Sequence, residues 1–385
     1  MKNALAVLLI SISLLSTVGP AFAQEDALAE PRSATLNEAF EGCFLVGTAM
    51  NRWFIMDEVP GVLDFASSQF NAVTAENAMK WGRINPSKGD YHFDISDALV
   101  DYAQANEMKV IGHTLVWHSQ TPDWVFENWR GRPVDRDTLL ARLENHMEKV
   151  AGRYSGRIHG WDVLNEAILD DGSWRDSPWR RILGEDYVAT VFEMAHRIDP
   201  QAELYYNDYN MYLPGKRDAV VTMVKDLQAR GVPIHGIGMQ GHFGIGRPSM
   251  EDFTAALDAY GALGLKVMIT EMDVTVLPWP DTLAVGADIS AAAENRDELD
   301  PYTEGLPADI AEAQAEQYAA FFRELVARRD FVSRVTFWGV SDADNWKNNF
   351  PVRGRTDHPM LFDRYLQPKP AFDAVIAEAA PCGTE

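Results

Sequence analysis

Eight short β-rich runs, each followed by a segment of helical periodicity, constrain this chain more than any other feature. The runs are Phe44–Met50, Phe70–Glu76, Lys109–Trp117, Ile158–Glu166, Ala202–Asp208, His235–His242, Lys266–Asp273 and Arg334–Val340. Most are apolar through the middle and end in polar or aromatic residues, the pattern of strands buried on both faces of a parallel sheet. Between them Leu139, Leu143, Met147 and Val150 share one helical face. So do Val220, Val224 and Leu227, and likewise Tyr318, Phe322 and Leu325. Eight β-then-α units in a chain of 385 residues predict a single-domain α/β protein, a (β/α)8 barrel of the triosephosphate-isomerase type. A doubly wound sheet would carry a glycine-rich phosphate turn after its first strand, and Gly47-Thr48-Ala49 is not that pattern. The longest excursion, Leu277 to about Ala308, follows the seventh strand. It carries Pro278, Pro280, Gly286, Pro301 and Pro307, and it is expected as a loop insertion that shapes a cleft on the face where barrel active sites form.

The first residues have a different logic. Lys2, the apolar run Ala4–Leu15 and the Ala21-Phe22-Ala23 cleavage pattern make residues 1–23 an expected secretory signal peptide. Residues 24–40 are then a polar, flexible lead-in, and 41–381 the folded domain. Export follows, to the periplasm or the extracellular medium, with no membrane attachment after cleavage. Acidic residues number 57 against 34 basic ones, a formal net charge of −23. Such a surface repels phosphate backbones and anionic lipid, so a nucleic-acid partner is excluded. Nothing in the sequence calls for an oligomer, and a monomer is expected.

In a barrel the C-terminal ends of the strands converge on one face. Read in order, those ends give Glu76 and Asn77 with Lys80 and Trp81 beyond; His113 and Trp117-His118; Asn165-Glu166; Asn207-Asp208-Tyr209; Gln240-Gly241-His242; Glu271 and Asp273; and Trp338, followed by Trp346. Hydrogen-bonding amides and carboxylates beside flat aromatics suit a sugar, whose rim is polar and whose faces are apolar. Two Glu on opposite sides of the barrel mouth, Glu166 and Glu271, suit glycosidic cleavage: one protonated to assist the leaving oxygen, the other ionised to attack the anomeric carbon. A lone Glu at a strand end is more often a surface acid or an ion-pair partner. Here Asn165 is placed to donate to a sugar hydroxyl, and His242 with Asp273 to hold Glu271 ionised and oriented. A metal set of His113, His118, Glu166 and His242 lacks the H-x-H on strand one that it would need, so no catalytic metal and no cofactor are expected.

At this point a resemblance becomes specific. Phe70-Asn71-Ala72-Val73-Thr74-Ala75-Glu76-Asn77-Ala78-Met79-Lys80-Trp81, Gly112-His113-Thr114-Leu115-Val116-Trp117-His118, Trp161-Asp162-Val163-Leu164-Asn165-Glu166-Ala167, Ile269-Thr270-Glu271-Met272-Asp273 and Trp338-Gly339-Val340-Ser341-Asp342 through Trp346 resemble, in order, the signatures of glycoside hydrolase family 10. The resemblance covers about Phe44 to Phe372. It implies a retaining endo-1,4-β-xylanase acting on xylan and xylo-oligosaccharides, with Glu166 as acid/base and Glu271 as nucleophile, and carboxyls roughly 5–5.5 Å apart. It implies that Glu76, Asn77 and Lys80 bind the xylose one step from the cleaved unit, on the non-reducing side. His113, Trp117, Asn165, Gln240 and His242 would surround the cleaved xylose, with Trp338 and Trp346 as an aromatic wall, Tyr209 near the acid/base and Asp273 supporting His242. A β-glucanase on the same barrel, or a carbohydrate-binding protein with a dead site, are the rival readings. In such a barrel the first and last units are neighbours, so Cys43 and Cys382 are expected to pair at the end remote from catalysis.

Overall fold

The computed structural model describes residues 34–283, 293–343 and 345–383. The signal-peptide reading falls on residues 1–23, outside the described residues. Part of the expected lead-in is structured: Leu36–Ala39 is a short helix, Leu36 and Phe40 are fully buried, and the folded unit begins at Ala34.

Nine strand segments make one parallel sheet: β1 (Leu45–Met50), β2 (Ala72–Ala75), β3 (Lys109–Trp117), β4 (Gly160–Asn165), β5 (Glu203–Asp208), β6 (Gly236–Met239), β7 (His242–Gly244), β8 (Lys266–Thr275) and β9 (Val332–Phe337). β1 pairs with β2 on one side and β9 on the other, and β6 pairs with both β5 and β8, so the sheet closes into a barrel. The barrel has eight strand positions, because β6 and β7 together occupy the sixth. The run expected as one strand, His235–His242, is interrupted at Gln240–Gly241. Gly241 has φ +84°, and a Cβ there would lie 2.5 Å from the Ile269 side chain. Glycine is the residue that accepts both conditions.

Helices wrap the barrel. The expected apolar faces are the buried ones: Leu139, Leu143, Met147 and Val150 in the helix Arg136–Val150; Val220, Val224 and Leu227 in Pro214–Ala229; Tyr318, Phe322 and Leu325 in Ala308–Ala327. They join strand residues such as Val46, Val73, Val163, Leu204, Ile237 and Val335 in one apolar core. Inside the barrel, Ile111, Tyr205 and Met268 form a separate cluster. Gly160 makes room there: a Cβ would meet the Tyr205 ring at 2.4 Å.

Two features tie the ends and the upper loops. The sulfurs of Cys43 and Cys382 are 2.08 Å apart and bonded. The described parts of the Leu277–Ala308 excursion lean on the loop after β9, where Arg355 donates to the Pro278 carbonyl at 3.1 Å and Asp300 accepts from the Thr356 amide at 2.9 Å. Among the described residues no helix is long and apolar enough to cross a membrane.

Candidate active site

The C-terminal strand ends enclose a cleft of about 490 Å³ lined by Glu76, Asn77, Lys80, His113, Trp117, Gln120, Glu166, Gln240, His242, Glu271, Trp338 and Trp346. Larger grooves lie elsewhere, one of about 1120 Å³ between helices and one of about 1200 Å³ under the barrel near Cys43. Neither brings a strand-end pair of buried carboxylates together, so chemistry rather than size selects the smaller cleft.

Glu166 stands just past the end of β4, with φ +58° turning its side chain across the mouth. Its backbone is held on both sides: its amide donates to the Asn207 carbonyl at 2.9 Å, and its carbonyl accepts from Arg175 Nε at 2.9 Å. Its Oε2 accepts from Trp117 Nε1 at 2.8 Å. Its Oε1 accepts from Gln240 Nε2 at 2.9 Å and from Asn165 Nδ2 at 3.2 Å. Burial pushes this carboxyl up to about 7. The charge of Asp208 adds to that and Glu271 contributes less, while the bonds from Gln240 and Trp117 oppose.

Glu271, on β8, is equally buried but tuned the other way. Asn207 Nδ2 donates to its Oε1 at 2.8 Å, and His242 Nε2 lies 3.2 Å from its Oε2. Burial alone would raise this carboxyl. The His242 bond and the positive charges of His113, His242 and Lys80 outweigh it and hold the group below the ordinary carboxylate range. His242 is clamped in turn: its Nδ1 lies 2.8 Å from Asp273 Oδ2, which also accepts from Trp346 Nε1 at 2.8 Å. Burial disfavours the imidazolium, but Asp273 and Glu271 together raise its pKa. A ring with a carboxylate at each nitrogen donates twice, so it is cationic in this arrangement.

The break between β6 and β7 serves this geometry. Gln240, before the glycine, points at Glu166, and His242, after it, points at Glu271. The Glu271 amide still donates to the Gln240 carbonyl at 2.7 Å across the break.

The far end of the cleft is a polar chain on an aromatic floor. Lys80 Nζ donates to Asn77 Oδ1 at 3.0 Å, and Asn77 Nδ2 to Glu76 Oε1 at 3.0 Å. The same ammonium lies 5.1 Å from the Trp117 ring centre and 5.9 Å from that of Trp338, within cation–π range. Burial lowers the Lys80 pKa. His113 is anchored by Asp162, at 2.9 Å, and meets the edge of Trp338.

Two of the expected residues are engaged with Glu166 or its segment. Asn165 reaches Glu166, and its Oδ1 accepts from Asn207 at 2.9 Å. The Tyr209 hydroxyl accepts from Arg175 Nη2 at 2.8 Å, so Tyr209 is coupled to the Glu166 segment through that guanidinium. Four contributors were not singled out from sequence. Asn207 bonds Glu271 directly and Glu166 through Asn165, Asp208 raises Glu166, Arg175 ties Glu166 to Tyr209, and Gln120 lines the cleft. Asn207 and Asp208 were visible as polar residues at the end of β5; Arg175 lies beyond its strand in a loop, where no periodicity marks it.

Known proteins are similar to this chain over most of its length. The profile of Glycosyl hydrolase family 10 matches residues 35–378. The chain is 43% identical over 342 residues to endo-1,4-beta-xylanase A of Xylanibacter ruminicola, covering 89% of this chain and 92% of that one. It is 40% identical over 348 residues to an endo-1,4-beta-xylanase of Geobacillus stearothermophilus, covering 89% and 98%. Among solved structures, a family 10 endoxylanase from a sugarcane soil metagenome superposes with a TM-score of 0.85 at 41% identity, covering 90% of this chain and 99% of that one. Xylanase XynB of Paenibacillus barcinonensis, complexed with a conduramine derivative, gives 0.81 at 40% identity, covering 89% and 98%. With the closed parallel barrel, the paired strand-end carboxylates and a family match over most of its length, the chain belongs to glycosyl hydrolase family 10.

Proposed function

We propose that the protein is an exported endo-1,4-β-xylanase that cleaves internal linkages of xylan by double displacement, with Glu271 as nucleophile and Glu166 as acid/base. The observation that carries this reading is the opposite tuning of two buried carboxyls in one cleft: Glu166 raised to about 7 and Glu271 lowered. Below about pH 7 Glu166 holds the proton that the leaving oxygen needs, while Glu271 is ionised and free to attack the anomeric carbon. The covalent glycosyl ester removes the Glu271 charge. Glu166, deprotonated in the first step and relieved of that repulsion, then takes a proton from a water that attacks the anomeric carbon; the ester bond to Glu271 breaks, its carboxylate is restored, and the product leaves with retained configuration. Asn165 and Asn207, which join the two carboxylates through hydrogen bonds, are placed to sense the sugar 2-hydroxyl between them. Glu76, Asn77 and Lys80 receive the next sugar toward the non-reducing end, and Trp338 and Trp346 crowd the face where a hydroxymethyl group would project. The substrates named for the relatives above support xylan.

The test is hydrolysis of plain and decorated xylan beside a soluble β-1,4-glucan, with Glu271→Ala as control and proton NMR of the first-formed anomer. Short xylo-oligomers of β configuration, lost in the control, are expected. Glucan cleavage with xylan untouched overturns the substrate, and a first-formed α anomer overturns retention.

A further inference from the structure

Asp273 has one oxygen fully engaged and one that is not. Its Oδ2 accepts from His242 and from Trp346, each at 2.8 Å. Its Oδ1 is buried, with no hydrogen-bond partner among the described residues. The group facing that oxygen is the ammonium of Lys347, at 3.6 Å, on a side chain 2% exposed beside an Asp273 carboxylate that is fully buried. Lys347 sits among three aromatic faces, 4.5 Å from the Trp346 ring centre, 5.7 Å from Trp279 and 6.0 Å from Phe350. A cation removed from water in this way persists only where a negative charge compensates it. Trp346 stacks on Phe350 at 4.8 Å, which joins two faces of the cage.

We propose that Lys347 is a positioning residue for the nucleophile, acting through Asp273 to fix the charge and place of the His242–Glu271 relay. It touches neither the substrate cleft nor the reacting atoms, so its effect passes through two other side chains. Without it the relay holds two buried carboxylates and one imidazolium. With it the charges balance before Glu271 is esterified. Burial raises the Asp273 pKa; the strongest influence against that is Lys347, followed by His242, and the result is a group held below its ordinary range. Lys347 also restrains the imidazolium, opposing the rise that Asp273 and Glu271 impose on His242. The other charged groups acting on Lys347 are Asp357, which favours the ammonium, and Arg355 and Arg247, which oppose it; burial is the largest influence and lowers its pKa.

The sign of the consequence follows. Replacing Lys347 by a neutral residue also relieves a repulsion on His242, but that is the last of the influences on His242 and the leading charge influence on Asp273; the larger effect is that Asp273 protonates at higher pH, its grip on His242 weakens, and the support His242 gives to ionised Glu271 goes with it. The acid limb of the pH–rate profile therefore moves to higher pH. The alkaline limb belongs to Glu166, whose leading influences are burial, Asp208 and the bonds from Gln240 and Trp117, and stays where it was. The proposal rests on Glu271 as nucleophile, so the experiment separates the two claims. Wild type, Lys347→Met and Lys347→Arg are treated with a 2-deoxy-2-fluoro-β-xylobioside carrying a good leaving group, and the rate of covalent labelling is followed against pH, with the labelled residue located by mass spectrometry. The expected result is labelling of Glu271 in all three. In the Met variant it is slower by about tenfold at the optimum, and its acid limb is raised by about half a unit to one unit; in the Arg variant both return toward wild type. Circular dichroism melts report whether each variant folds, and the Arg variant keeps the test open if the Met variant does not. Glu271 labelled in Lys347→Met with unchanged rate and unchanged acid limb overturns the role of Lys347 alone. A slow Met variant whose acid limb has not moved, or an Arg variant no better than Met, assigns Lys347 to packing and likewise overturns it. Label on a residue other than Glu271 overturns the nucleophile assignment instead.

Discussion

Asp208 acts on Glu166 without bonding to its carboxylate. Its oxygens are engaged by Tyr206 at 2.5 Å and Lys216 at 3.0 Å, yet its charge is the largest influence raising Glu166 after burial itself. Replacing it with the isosteric Asn keeps the shape and removes the charge. The Glu166 pKa then falls, and the alkaline limb of kcat/KM should move to lower pH by roughly half a unit to one unit; a limb unmoved in Asp208→Asn would show that desolvation alone sets the acid. The two glutamates were legible in the sequence because each sits among polar residues at a strand end, and a barrel sends all such ends to one face. Asn207 and Asp208 were on the same strand end but gave no signal of role, since a hydrogen bond to a carboxylate on another strand, or a charge felt through space, leaves no pattern in the chain's own spacing. Tyr209 was named as a neighbour of the acid/base; the intermediary that makes it so, Arg175, comes from a loop.

At the scale of elements, seven of the eight expected strand runs correspond to single strands, because buried parallel strands read as short apolar blocks. The sixth does not. Its continuous apolar character hid a break, and the cue was the single glycine between two polar residues, Gln240-Gly241-His242. Gly241 holds a left-handed conformation in contact with Ile269, so Gly241→Ala combines backbone strain with overpacking. We expect a loss of about 2 kcal/mol or more in stability, read from chemical denaturation. Activity should fall further than stability predicts, because the residues on either side are the partners of Glu166 and Glu271. Equal kcat values for folded variant and wild type would refute that coupling. The register shifts of β4 against β3 and β5, and of β8 against β9, were equally invisible from local sequence.

For the whole molecule, the covalent link between Cys43 and Cys382 spans 339 residues. It restrains the unfolded chain more than the folded one, and its removal in a Cys43→Ala/Cys382→Ala variant should cost about 2–4 kcal/mol. That loss would appear as a lower apparent Tm under oxidising conditions, with kcat unchanged because Cys43 precedes β1, at the opposite end of the strands from the cleft. The closure of the barrel was itself readable from the count of β-then-α units, and closure makes neighbours of the units that carry these two cysteines. The Cα atoms of the pair lie 5.2 Å apart, beside the β1–β9 pairing, so the first and last units are joined and the polypeptide describes a ring. Where that ring is cut is then a matter of ancestry rather than of packing. A circular permutant opened at the exposed Arg230–Gly231 turn, with the old ends fused through a few residues, would carry every wall of the cleft in a new reading order and still arrive at the same barrel.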